Sequence, residues 1–182
     1  DHHMSQKNLF FEGSAHVPLL IMPPQGRSLP QNISVEAPTD LVDLYPTILA
    51  MAGLSSPVSV SGRNLLEPVP MDRIFFGNSL NRNFCVMEEK VKLVYSAVGD
   101  HVLLFDLNTD PMEQHNLAED PAWQERKVKL WKLLLEHTAQ YTPEALDEKG
   151  QFLTYEAPHF PGDVPGRWFG FHYHDYSVDT FH

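Results

Sequence analysis

Four short β-prone runs lie between residues 72 and 106, and a single amphipathic helix follows them. The runs are Arg73-Ile74-Phe75-Phe76, Asn83-Phe84-Cys85-Val86-Met87, Val91-Lys92-Leu93-Val94-Tyr95 and Val102-Leu103-Leu104-Phe105. Their connections carry Asn, Gly and Asp, as in Gly99-Asp100. Such a pattern predicts an antiparallel meander. Lys92, set between Val91 and Leu93, gives the alternation of a sheet with one wet face. After the meander, Asp120 reads as an N-cap and Pro121 as the first helical residue. Trp123, Leu130, Trp131, Leu134 and Tyr141 recur at helical spacing and form an apolar stripe. A sheet with one apolar face needs a cover, so the stripe is expected to lie on the meander. Trp123 and Trp131 are then core residues rather than a cofactor box.

Upstream, Val17-Pro18-Leu19-Leu20-Ile21-Met22 reads as a short strand buried on both faces, the kind found in parallel sheets covered by helices. A Pro/Gly/Ser/Gln loop follows over 23–31. Residues 35–54 read as a helix, with Thr39, Asp40 and Asp43 as candidate caps and Pro46 in the first turn. Val42, Tyr45, Leu49 and Ala52 share one face, and Gly53 closes the helix. The loop 55–70, rich in Ser, Pro and Gly, marks a subdomain boundary. The tail, 144–182, has no clear period but many aromatic and His residues, and is expected to fold back over the body. It includes Arg167, Trp168, His172 and His174.

Composition narrows the function classes. A hydrophobic share of 42% in 182 residues supports a packed core. A formal net charge of −11 argues against nucleic acid, which demands clustered Lys and Arg, and against anionic membrane surfaces. No apolar run is long enough to span a bilayer. The opening Asp1-His2-His3-Met4 shows no signal-peptide core and reads as internal to a longer sequence. Cys85 is the only cysteine, so no intrachain disulfide forms, and its apolar surroundings suggest a small buried residue.

Lys7 lies between His3 and the pair Phe10-Phe11, just before the expected strand. A lysine near a parallel-sheet strand reaches the crevice where such folds bind ligands. Its ammonium carries three donors suited to a tetrahedral oxyanion. On the residue alone, a solvated surface lysine is the competing reading, and Asp1-His2-His3-Met4 reads equally as a tag remnant.

The order of motifs shifts that balance. Lys7 and the stretch Phe11-Glu12-Gly13-Ser14-Ala15-His16-Val17-Pro18-Leu19 come first. Asp40-Leu41-Val42-Asp43-Leu44-Tyr45-Pro46-Thr47 follows, then Lys90-Val91-Lys92-Leu93-Val94-Tyr95, then Leu104-Phe105-Asp106-Leu107-Asn108-Thr109-Asp110-Pro111-Met112-Glu113-Gln114-His115-Asn116-Leu117. In this order they resemble the C-terminal part of a type I sulfatase of the alkaline phosphatase superfamily, over roughly residues 1–140. The resemblance implies a hydrolase of sulfuric esters, acting on small-molecule or saccharide sulfates. It implies calcium or another divalent cation and a formylglycine made from an upstream Cys or Ser. Lys7 matches the family lysine that contacts sulfate, and fixed cations of this kind stabilise the charge spread over the sulfuryl oxygens.

His3, Arg167 and His172 are candidates to line the same pocket. An aromatic flap, packed for stability or for contact between copies in a homo-oligomer, is the alternative for the tail. His172 and His174 share one face if the segment is a strand, but lack a third metal ligand in register. Glu12 is expected to support the loop, and His16 to be structural. Cys85 lacks the Cys-x-Pro-x-Arg maturation pattern, and so do Ser28 and Ser55; no nucleophile candidate is present, and the principal metal ligands are expected upstream. The expected fold is α/β. Residues 1–66 would close a parallel-sheet catalytic domain, 67–145 would form an antiparallel sheet covered by a helix, and 146–182 the tail. The partner is then the upstream half of the catalytic domain. Phosphate or phosphonate monoester hydrolysis, and a non-catalytic binding or assembly module, are the alternative readings.

Overall fold

A computed structural model describes residues 9–22, 34–57 and 59–156. In chain order the elements are α1 (Glu12–Ala15), α2 (Leu44–Ala52), β1 (Phe75–Ser79), β2 (Asn83–Glu88), β3 (Val91–Ser96), β4 (His101–Asp106) and α3 (Gln124–Tyr141). The described residues fall into two compact units, one from 9–17 and 76–156, the other from those within 18–75.

The first unit is built on the expected meander, a mixed α/β arrangement in which the sheet order is β1-β2-β3-β4. β3 pairs antiparallel with β2 and with β4, with Val86 opposite Leu93 and Leu93 opposite Leu104. The β2–β3 hairpin turns through Glu89 and Lys90, both left-handed at φ 51° and 63°. Two left-handed residues in succession match a type I′ turn, whose twist suits antiparallel strands. Asp120 caps the next helix as expected: its carboxylate accepts from Ala122 N at 2.9 Å, and Pro121 opens a 3₁₀ turn that runs on into α3. α3 lies on β2 and β3, burying Leu130, Leu134 and Thr138. Leu130 and Leu134 are the innermost members of the expected stripe. Tyr141 was expected with them but is exposed, because Thr138 takes the inward position at that turn.

The chain after α3 returns to the sheet. Tyr155 N donates to Ala97 O at 2.8 Å and Gly99 N donates to Tyr155 O at 2.9 Å. Phe152 is thereby inserted among Phe84, Tyr95 and Trp131, at centroid distances of 4.6, 4.7 and 5.5 Å. Residues 144–156 thus fold back as expected; the rest of the tail lies outside the described residues.

The wet face expected from Lys92 does not exist. Every residue of β3 is buried, and Lys92 is 2% exposed. The reason is a second cover: Leu9 and Phe11 are buried, and the Phe11 ring meets that of Phe105 at 5.8 Å. Gly77 allows this close approach, since a Cβ there would sit 2.4 Å from the Phe10 ring.

In the second unit, the side chain of Asp43 is 0% exposed. It accepts from both Arg73 terminal nitrogens at 2.5 and 3.0 Å, from Arg63 N at 2.7 Å and from Asp40 N at 2.8 Å. Thr47 Oγ1 accepts from Leu65 N at 2.9 Å, so the loop after α2 is sewn to the helix start. Burial alone would raise the Asp43 pKa, but the Arg73 guanidinium and the two backbone donors hold it below the ordinary carboxylate value. Gly53 closes α2 in the left-handed conformation at φ 76°, as expected. The expected apolar face of α2 is not buried: Val42, Tyr45 and Ala52 are exposed and Leu49 is half-buried, while Pro46 and Thr47 face inward. The strand expected over 17–22 is also not formed. A strand needs a neighbour for its N–H and C=O groups, no described residue pairs with this stretch, and Leu20 and Met22 are 95% and 87% exposed.

Candidate functional site

Beneath the second face of the sheet, one ammonium and two carboxylates meet. Strand alternation turns Lys92 toward that face, on the same side as Cys85 and Phe105. Lys92 Nζ donates to Glu113 Oε1 at 2.9 Å, to Phe10 O at 2.9 Å and to Glu12 Oε1. Its three donors are therefore all used. Glu113 comes from the loop after β4 and is 3% exposed. Its other oxygen accepts from Glu12 N at 2.6 Å. Burial disfavours the charged lysine, but the bonds from Glu12 and Glu113 outweigh it and hold the Lys92 pKa above its usual value. The group stays cationic at any working pH, so it is no proton donor for catalysis. Its carboxylates are filled by the ammonium, which leaves them unsuited to a metal.

Glu12 thus has the structural role expected of it. His16, expected to be structural, sits at the surface and pairs with Glu12 Oε2 at 3.0 Å. Cys85 is fully buried, and burial pushes its thiol up to about 12, which leaves it protonated and inert. Among the described residues, no group of three His, Cys, Asp or Glu side chains is arranged to hold a metal ion. Lys7, His3, Arg167, His172 and His174 lie outside the described residues. No described helix is long and apolar enough to cross a membrane.

The motif Asp106 to Glu113 forms a pair of interlocked turns. Asp106 accepts from Asn108 N at 3.1 Å, Asn108 Nδ2 at 2.9 Å and Thr109 Oγ1 at 2.9 Å. Asp110 accepts from His115 N at 2.8 Å. These bonds place Glu113 below Lys92, with a left-handed φ of 54°. The sequence flagged the motif without revealing that its Glu is aimed at the lysine of β3. A groove of about 290 Å³ also opens between β1 and α3, where the His137 ring stacks on Phe76 at 3.9 Å. Burial lowers the His137 pKa, and no Lys or Arg lines the groove, so it does not suit an oxyanion.

No protein-family model matches the chain. It is 33% identical over 137 residues to arylsulfatase K of Bos taurus, a match covering 65% of this chain and 25% of that protein. It is 33% identical over 166 residues to the choline-sulfatase of Rhizobium meliloti, covering 81% of this chain and 31% of that protein. Among solved structures, a 2-O GAG sulfatase is similar with a TM-score of 0.49 at 22% identity, covering 69% of this chain and 31% of that one. The chain spans about a quarter of the length of the arylsulfatases it matches.

Proposed function

From the premise that the homologues of this chain are arylsulfatases and a choline-sulfatase, matched over a C-terminal part of their length, we propose that it forms the C-terminal portion of a sulfuric ester hydrolase. Lys7 contacts the sulfate group of the substrate. The observation that carries this reading is the homology itself, joined to a set of motifs in sulfatase-like order that begins with Lys7. A lysine ammonium is a fixed positive charge facing oxygens whose negative charge redistributes as the S–O bond breaks, and such groups act mainly on the transition state. His3, Arg167 and His172 are proposed to line the same pocket.

The nucleophile and the divalent cation are not supplied by the described residues. In the whole protein, formylglycine and calcium would supply the attacking oxygen and further charge neutralisation. On this reading the chain by itself is inactive, since neither Cys85 nor Ser28 nor Ser55 begins the formylglycine maturation pattern. The exposed apolar side chains Leu41, Tyr45, Ile48, Leu20 and Met22 support a piece completed by other polypeptide rather than a self-sufficient binding module.

The test uses the full-length protein that carries this chain, with an aryl sulfate and the matching aryl phosphate as alternative substrates. Faster sulfate turnover is expected, and Lys7→Ala should lower it by about two orders of magnitude, the usual cost of one oxyanion donor. Near-wild-type turnover by Lys7→Ala would remove the lysine from the site. Faster phosphate turnover would make the protein a phosphoric ester hydrolase. Sulfate ester turnover by residues 1–182 alone would overturn the proposed dependence on an upstream half.

A further inference from the structure

We propose that the groove between β1 and α3 is a binding site for a small organic ammonium ion, held by the rings of Phe76, His137 and Tyr141 at the negative end of α3.

The aromatic wall comes from two elements. The rings of Phe76 and His137 lie parallel at 3.9 Å, and the Tyr141 ring meets that of His137 at 4.6 Å, so three π-systems run together along the groove. Tyr141 is 59% exposed, which leaves much of its ring free to meet a ligand. An aromatic face carries partial negative charge and attracts a cation within about 6 Å of its centroid. The volume of about 290 Å³ is at the lower end of ligand cavities and admits a compact headgroup rather than an oligosaccharide.

Charge favours a cation over a neutral or anionic guest. Thr138, Tyr141 and Thr142 put the groove at the C-terminal end of α3, and no basic residue in the last turn neutralises the negative end of the helix dipole. Among the described residues no Lys or Arg lines the groove, and burial keeps His137 uncharged at neutral pH. The carboxylate of Glu144 is joined to the rim by two amides: Asn81 Nδ2 donates to Glu144 Oε1 at 3.0 Å, and Asn78 Nδ2 donates to Asn81 Oδ1 at 2.7 Å. The Asn78 oxygen in turn accepts from Asn81 N at 3.0 Å. Both ends of that amide are engaged within the rim, so a sugar, which needs paired donors and acceptors, finds its natural partner already committed. The turn that carries Asn81 holds Leu80 and Asn81 left-handed, at φ 57° and 54°. Such strain on a leucine persists only where its surroundings fix it, and the chain from Asn78 to Glu144 does so. The net charge of −11 adds a long-range attraction for cations.

The test is a ligand-observed saturation-transfer titration of the full-length protein at neutral pH and low salt, with tetramethylammonium as the probe. A dissociation constant on the order of 1 mM is expected for so small a cation held by aromatic faces. Tyr141→Ala should weaken binding about fivefold, and the fold should survive because that ring is mostly outside the core. Thr142→Lys sets a competing ammonium at the groove, where a helix C-terminus tolerates it, and should weaken binding by about tenfold or more. tert-Butanol, similar in size but uncharged, should bind about tenfold more weakly than the cation. Equal binding of tert-butanol would make the groove merely apolar and overturn the proposal, and so would tighter binding of methyl glucoside. Saturation that neither variant changes would place the cation elsewhere in the protein and overturn it as well. No saturation at concentrations about fiftyfold above the expected constant would do the same. Should Thr142→Lys yield no folded protein, Tyr141→Ala decides alone: a weaker titration supports the site, and an unchanged one refutes it.

Discussion

Phe152→Ala is the most telling single perturbation of the sheet unit. Phe152 is 6% exposed and touches three other rings, at 4.6 Å from Phe84, 4.7 Å from Tyr95 and 5.5 Å from Trp131. Truncating a buried Phe removes its transfer free energy and leaves a cavity, together about 3–5 kcal/mol. The residue is on an irregular segment, tied by a bridge to Leu146, so part of the cavity can collapse and the lower end applies, about 3 kcal/mol. That corresponds to about a hundredfold in an opening equilibrium. Native-state hydrogen exchange of the β2 and β3 amides reads such an equilibrium directly. The expected result is about a hundredfold faster exchange for the Phe84, Leu93 and Val94 amides. Phe152→Leu, which keeps most of the volume, should cost under about 1.5 kcal/mol and accelerate exchange by roughly tenfold at most. If Phe152→Ala accelerates those amides by less than about tenfold, the four rings are not a cooperative core and the segment after α3 is merely laid against the sheet.

Two further outcomes follow from the buried polar groups. The Asp43 pKa is depressed in the fold, so the stability it contributes is present above the ordinary carboxylate pKa of about 3.9 and is lost as pH falls through the folded value. Asp43→Asn should cost about 3–5 kcal/mol by leaving Arg73 without its carboxylate, and should expose the loop at Arg63 to trypsin; cleavage there as slow as in the wild type would show the ion pair to be dispensable. Cys85, with its thiol pushed up to about 12 and no exposed surface, should resist a thiol-specific reagent at pH 8 until denaturant is added, and rapid labelling of the native protein would contradict its burial.

The legible parts of the fold were those whose cause is local. Asp120 and Pro121 announce α3, Gly53 ends α2, and the Asn, Gly and Asp links between apolar runs announce the meander. What escaped was set by residues far along the chain. Lys92 looks solvated because strand alternation assumes one wet face, whereas Glu113 lies 21 residues away and Glu12 lies 80 residues away. Phe152 carried no periodic signal, since its place is fixed by bridges at Leu146 and Tyr155 rather than by a helix or strand of its own. The α2 face shows the converse failure: helical spacing marks Val42 and Tyr45 as apolar and aligned, but cannot say whether this polypeptide supplies the surface that buries them. Of the candidate site, the sequence singled out Glu12 as a support and the 104–118 motif as a marker. It did not show that the two converge on one ammonium.

The bond from Lys92 to Glu12 joins positions 80 residues apart, and all of 18–75 lies between the two stretches it unites. Closing a span of that length costs about 4 kcal/mol in chain entropy. During synthesis, the bonds from Lys92 and Glu113 to residues 10–12 cannot all form until Glu113 has left the ribosome. Anyone wishing to excise the sheet for separate study would have to carry both ends across and splice out the middle, because a cut made at residue 76 would strip away the stretch that shields Lys92.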